Sequence, residues 1–334
     1  MRRLGLVASL GAAGAGLWWL SRRANFDLED KLVLITGGSR GLGLAMAREF
    51  ARHGARLALC ARDPDELRRA QEDLAAQGAT VEVFTADLMR KEDAERLIAD
   101  VRQHLGPIDV LVNNAGRIEV GPLESATEDD FEKSMATHFW APFWTMKTAL
   151  PDIKRRQGRI VNISSIGGKV GVPHLVAYDA GKFALAGLSE GMAAELRKDG
   201  VRVLTVYPGL MRTGSPRNAN FKGQHRKEYA WFAVSGAAPL ITIAAERAAR
   251  KIVNACICGE ASLVITPVAK AAALFHEIAP NLIISALGIV NRLLPREGGV
   301  GSASRKGHES ESVVTRSPAT ILNKRAARRL NEAG

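Results

Sequence analysis

The chain reads as an α/β protein built on a doubly wound parallel sheet, and three observations carry that reading. Short apolar, β-branched runs alternate with amphipathic runs of helical period across residues 31–266. Hairpin signals are missing between successive strands in the first half, so each strand must cross over to a parallel neighbour. The series opens on a strand, a glycine turn and a helix in immediate succession, KLVLITGGSRGLG from Lys31 to Gly43.

That opening unit is the most informative stretch. Leu32-Val33-Leu34-Ile35 is a strand fit to be buried on both faces. Gly37, Gly41 and Gly43 follow, and a helix begins with Leu42-Gly43-Leu44-Ala45-Met46. Backbone N–H groups and the positive end of a helix dipole converge there, which suits a pyrophosphate. Side chains at the glycine positions would obstruct the turn or the phosphate.

The remaining elements follow in order. Arg56–Cys60 is the second strand, and a charged helix occupies roughly 64–77. Arg62 stands just past that strand, where an acid would favour NAD; with Arg40 in the glycine turn, two guanidinium groups suit a ribose 2′-phosphate and predict NADP(H). Thr80–Asp87 is the third strand, with Asp87 at its end as a candidate adenine contact. A helix over 91–105 leads to the strand Ile108–Val112 and the small-residue turn Asn113-Asn114-Ala115-Gly116, where backbone would pass close to a cofactor. A capped, acidic start at Thr127 opens a helix running to about Leu150. Gly158–Ser165 and Val201–Val206 are the fifth and sixth strands, separated by a helix carrying Tyr178 and Lys182. Residues 210–243 show no clear period and read as a substrate loop or lid; a helix near 244–258 and a strand at 263–266 close the sheet.

Charge and cysteines narrow the class. Of the formal +11, residues 1–25 and 296–334 each contribute +4, leaving +3 for the body, so a nucleic-acid-binding core is excluded. Cys60, Cys256 and Cys258 are too few for a disulfide framework and lack zinc-site spacing, so no metal centre is expected and the setting is reducing. Cys60 lies within an apolar run, as a small core residue would.

The ends differ from the body. Leu4–Leu20 carries no charge, is bracketed by Arg2-Arg3 and Arg22-Arg23, and ends in Trp18-Trp19. Residues 1–25 therefore read as an uncleaved membrane anchor, since SRRANFD offers no small-x-small cleavage site. Residues 268–295 read as one or two amphipathic helices covering the cleft or lying on a membrane, and 296–334 as a basic, disordered tail.

Tyr178 and Lys182 stand at i and i+4 and share a helix face. A phenol titrates near 10, and an adjacent ammonium lowers that value, so the pair forms an acid/base unit beside a strand-end serine that would bind a carbonyl.

Taken together, these motifs resemble the short-chain dehydrogenase/reductase superfamily over roughly residues 30–267. TGGSRGLG at 36–43 matches its TGxxxGxG motif, NNAG at 113–116 its sheet-stabilising motif, and Tyr178–Lys182 its YxxxK pair. Ser165, thirteen residues before Tyr178, takes the place of the catalytic serine in preference to Ser164, and Pro208-Gly209 with Thr213 resembles the PGxxxT segment over the nicotinamide. The resemblance implies a single Rossmann-type domain over 26–267 with strand order 3-2-1-4-5-6-7. It further implies cofactor contacts from Gly37, Ser39, Arg40, Gly41, Leu42, Gly43, Arg62, Asp87, Leu88, Asn114, Ala115, Gly116, Tyr178, Lys182, Pro208, Gly209 and Thr213. One position departs from the family: His138 stands where a catalytic asparagine is usual. A role through its backbone carbonyl would tolerate histidine, whereas a role through its side chain would not.

The expectation is an NADP(H)-dependent carbonyl reductase or alcohol dehydrogenase with Tyr178 as general acid/base, Ser165 orienting the carbonyl and Lys182 holding the ribose. The alternative is a catalytically weak dinucleotide-binding sensor or scaffold of the same fold. Expected partners are a lipophilic carbonyl or alcohol, membrane lipid and, as an alternative to a monomer, a second copy of the chain. The anchor places the protein at a membrane, and NADPH supply places the catalytic domain on the cytoplasmic side.

Overall fold

The computed structural model describes residues 25–239 and 241–332; the anchor expected over residues 1–25 lies outside them but for Asn25. Seven strands form the central sheet: β1 Leu32–Thr36, β2 Arg56–Ala61, β3 Val81–Thr85, β4 Val110–Asn113, β5 Arg159–Ile163, β6 Arg202–Tyr207 and β7 Ser262–Val264. All pair in parallel in the order β3-β2-β1-β4-β5-β6-β7, as the resemblance implies.

Between them run α1 Gly41–Arg52, α2 Pro64–Ala75, α3 Lys91–Leu105, α4 Glu128–Met135, α5 Ala141–Arg155, α6 Val176–Leu196, α7 His225–Ala237 and α8 Ala245–Cys258. Alternate residues of each strand serve opposite apolar layers, because side chains in a strand have a period of two. Val33, Ile35, Leu57, Leu59, Val110 and Val112 join α1 and α8 residues such as Phe50 and Ile252. Leu32, Leu34, Ala58, Cys60 and Leu111 join α3 and α5 residues such as Ile98 and Ile153. The strand order reverses between β1 and β4, so the crevice at their carboxyl ends is where such a fold binds ligands.

Three differences from the sequence reading matter for the site. The helix starting at Thr127 is interrupted by a π turn over Ala136–Trp140, which holds His138. The segment 210–243 is not simply loop: it contains α7, whose helical period is masked because the acid Glu228 is buried while Trp231 and Phe232 are only part-buried.

The third difference is the tail. Residues 296–332, expected to be disordered, fold back onto the domain. Arg305–Lys306 pairs antiparallel with Asn220–Phe221, which also pairs with Glu119–Val120. Helix α11, Ile321–Arg329, follows α9 Pro267–Ile278 and α10 Pro280–Asn291, and buries Ala326 and Leu330 in the layer shared by α1 and α8. Full burial of Leu330 alone is worth about 1.5–3 kcal/mol. Its remaining anchors are polar contacts to loops remote in sequence, such as Gly307 N–H to the Ala219 carbonyl, which no local pattern announces.

Candidate active site

The glycine turn is locked by the NNAG segment. Thr36, at the end of β1, accepts at its hydroxyl from the backbone N–H groups of Asn114 and Ala115 (3.0 and 3.1 Å). The Asn114 amide donates to the carbonyls of Thr36 and Gly37. Gly37 has φ +62°, and a Cβ there would press on the Ala115 backbone; at Gly43 it would collide with the Gly37 carbonyl. Glycine is thus required by the turn's own packing as well as by any phosphate.

Behind this loop a buried polar chain ties four elements together. Asn113 donates to Asn162, Asn162 donates to Ser189, and Thr145 donates to Asn113. These bonds hold the ends of β4 and β5 in register with α5 and α6, fixing the platform on which the catalytic side chains stand.

Ser164 and Ser165 end β5 but have different duties. The Ser164 hydroxyl is buried and donates to the Lys182 carbonyl (2.9 Å). Ser165 is half-buried, accepts from Gly167 N–H, and hydrogen-bonds the Tyr178 phenol. Lys182 is buried, donates to the Ile163 carbonyl at 2.8 Å and lies 5.7 Å from the centre of the Tyr178 ring. Burial pulls the Lys182 ammonium down to about 7 and pushes the Tyr178 phenol up to about 12, the latter opposed by the Ser165 hydrogen bond. The protonated phenol is therefore the resting form, as a proton donor to a carbonyl oxygen requires.

His138 stands within the same cluster. Its ring is edge-on to Tyr178, with centroids 5.3 Å apart, and its Nε2 meets the Arg117 carbonyl at 3.0 Å. Burial, then the nearby Lys182, pushes its pKa well below the usual histidine value, so the ring is neutral. A neutral ring facing a carbonyl carries its proton on Nε2. Nδ1 is then a buried lone pair with no protein partner.

The cofactor-side residues surround the crevice. Arg40 is paired with Glu66 at 2.7 Å, and Ser39 donates to the same carboxylate. Arg62 is exposed and Asp87 half-buried, its carboxylate accepting from Met89 N–H; Leu88 is buried beside it. Across the crevice, the Pro208 carbonyl accepts from Ile166 N–H, Gly209 packs on Thr266, and buried Thr213 bonds Ser215. The donors here suit a dinucleotide phosphate, because they already hold an acidic side chain. Glu332 accepts from Gly214 N–H at 2.5 Å and lies against Gly41, while Gly41 N–H donates to the Leu330 carbonyl.

Sequence reading missed the aromatic side of the crevice. Tyr178, Ile118, Val172, Trp231 and Phe232 each pack against one buried cluster that includes Leu175, Phe221 and Tyr229. His174, at φ +66°, is fixed by buried Glu228 (2.9 Å), which also accepts from Trp231 Nε1. Only the tertiary fold brings α7 to the Tyr178 helix; no spacing linked residues 174 and 228.

Comparison with known proteins agrees with this geometry. The short chain dehydrogenase family profile matches residues 31–222. The Dehydrogenase/reductase SDR family protein 7-like of Anopheles gambiae is 33% identical over 263 residues, covering 76% of this chain and 81% of that protein. A short-chain dehydrogenase structure from Streptomyces avermitilis aligns with TM-score 0.68 at 31% identity over 79% of this chain and 98% of the other. L-sorbose reductase from Gluconobacter frateurii, complexed with NADPH and L-sorbose, aligns with TM-score 0.65 at 27% identity over 72% and 97%. With the glycine turn, the serine, tyrosine and lysine at one sheet edge and these relatives in view, the chain belongs to the short chain dehydrogenase family, as an NAD(P)-dependent oxidoreductase of alcohol and carbonyl groups.

Proposed function

We propose that the protein is an NADP(H)-dependent carbonyl reductase or alcohol dehydrogenase for a lipophilic substrate, associated with a membrane surface. The observation that carries the chemistry is the cluster of Ser165, Tyr178 and Lys182 beside the glycine turn. The nicotinamide cofactor, when bound, supplies or accepts the hydride. The chain's own groups manage the proton and the orientation. Ser165 donates to the substrate oxygen and fixes the carbonyl, Tyr178 passes its phenolic proton to that oxygen, and Lys182 binds the ribose beside the phenol. In the reverse direction Tyr178 takes the alcohol proton.

Three features support the finer points. For NADP(H), Arg40 and Arg62 stand at the turn and past β2, and the part-exposed Arg40–Glu66 pair costs only about 0–1 kcal/mol to break. A lipophilic substrate is favoured by the aromatic and aliphatic packing around Tyr178. Membrane association is favoured by α9 and α10: Val268, Leu274, Phe275, Ile278, Leu282, Ile284 and Ile289 are exposed, and α10 buries none of its residues.

The deciding experiment follows NADPH and NADH oxidation by purified protein against long-chain aldehydes, ketoacyl chains and sterol ketones beside short sugars. Turnover confined to NADPH and the apolar substrates is expected. Preference for NADH or for sugars would reject the finer reading.

A further inference from the structure

The chain after α11 turns sharply at Asn331, whose φ of +57° places it in the left-handed region that asparagine tolerates at helix ends. That turn delivers three consecutive residues to the glycine loop. The Leu330 carbonyl accepts from Gly41 N–H at 2.9 Å. The Asn331 side-chain amide donates to the carbonyls of Ser39 and Glu66, both at 2.9 Å, and its oxygen accepts from Arg69 Nε. The Glu332 side chain is buried, accepts from Gly214 N–H at 2.5 Å and from the Ser215 hydroxyl, and faces Gly41 across the start of α1.

These contacts are made to the groups on which cofactor binding rests: Ser39, Arg40 and Gly41 on one wall and the loop after Thr213 on the other. An acidic side chain on the Gly214 N–H, beside a carbonyl that takes the Gly41 N–H at a helix start, sits where a pyrophosphate would find its donors. Arg48, which donates to the Arg329 carbonyl, and the buried Ala326 and Ala327 hold the base of this segment in place.

We propose that Leu330–Glu332 is a built-in competitor for the dinucleotide, docked in the pyrophosphate loop and displaced when the cofactor binds. The inference rests on the reading of that loop as the cofactor site and adds its regulation. Tethering keeps the competitor at high effective concentration, so apparent cofactor affinity is set by how firmly the segment docks. Only the turn beyond Arg329 must leave, because α11 packs on the body through Ala326 and Ala327. Any partner that captures this segment would raise cofactor affinity without touching the catalytic residues.

The test titrates NADPH into the full chain, into an Asn331→Ala/Glu332→Lys double variant, and into Arg69→Ala, which removes only the brace on Asn331. The double variant is expected to bind about tenfold more tightly, since it loses the Asn331 and Glu332 side-chain hydrogen bonds that hold the segment in the loop, and Arg69→Ala to shift in the same direction by less. A synthetic peptide of residues 321–332, added to the double variant, should weaken its NADPH binding competitively. Hydrogen exchange should show the Gly41 and Gly214 amides protected in the cofactor-free full chain and exposed in the double variant. Equal or weaker NADPH binding by the variants overturns the competition alone. Failure of every protein to bind either cofactor overturns the cofactor reading, and the competition with it.

Discussion

The imidazole of His138 stands edge-on to the phenol ring of Tyr178, 5.3 Å between centroids and 85° between planes. The π turn over Ala136–Trp140 brings it there, consistent with the frequent use of such turns at functional sites. Because its Nε2 is engaged by the Arg117 carbonyl, the side chain is already braced, and the role open to it in proton transfer is that of the bare Nδ1 beside Lys182.

His138→Asn therefore separates two roles. If the position acts through its backbone, turnover with NADPH should stay within about threefold of the parent and its pH profile should not move. Loss of roughly tenfold or more, with a shifted pH profile and unchanged cofactor affinity, would give the imidazole itself a part in the proton relay.

Cofactor choice should follow the arginines. A charge-assisted contact to a 2′-phosphate is worth about 1.5–3 kcal/mol, so Arg62→Ala should weaken NADPH binding about tenfold or more and leave NADH nearly unchanged. Fluorescence titration of both cofactors checks it; equal losses would contradict the assignment.

The docked tail should respond to pH. Burial raises Glu332 from its ordinary value to about 7, against the lowering effect of Gly214 N–H, Arg40 and Ser215 and with the raising effect of Glu66. The docked state therefore takes up a proton that the released state gives away, so docking is firmest at low pH and weakens as pH rises toward about 7. Between pH 5.5 and 8, the full chain should gain NADP+ affinity relative to Glu332→Gln, which stays neutral and docked throughout. A constant ratio would contradict the burial of a titrating carboxyl.

Membrane association divides between two segments. A chain starting at Asn25 should still bind phospholipid vesicles through α9 and α10, less tightly than the full chain, and lose that binding when Leu282, Ile284 and Ile289 are replaced by serine. Complete release on removing residues 1–24 would assign attachment to the N-terminal segment alone.

Much of this molecule could be read directly from its residues, for identifiable reasons. The strands β1, β2, β4, β5 and β6 announce themselves as apolar runs because they are buried on both faces, and the glycine turn and Tyr178–Lys182 pair are local patterns of fixed spacing. The docked tail was not legible. Its buried apolar side chains are Ala326, Ala327 and Leu330 among charges, and what orders it are contacts of Asn331 and Glu332 to loops more than a hundred residues away. The aromatic wall was hidden for the same reason: Trp231, Phe232 and Tyr178 come to one buried cluster only in the folded chain. Likewise the π turn at His138 leaves no mark in a helical pattern that continues on either side.

The most direct measurement is single-turnover carbonyl reduction by Tyr178→Phe with NADPH. The substitution removes one hydroxyl, the one hydrogen-bonded to Ser165, and leaves the ring packed against the cluster that holds Leu175 and Phe221 and edge-on to His138. Cofactor affinity should be unchanged while hydride transfer slows by about 10²–10⁴, the scale for losing a general acid. Transfer at near the parent rate would contradict Tyr178 as the proton donor and, with it, the account of this site.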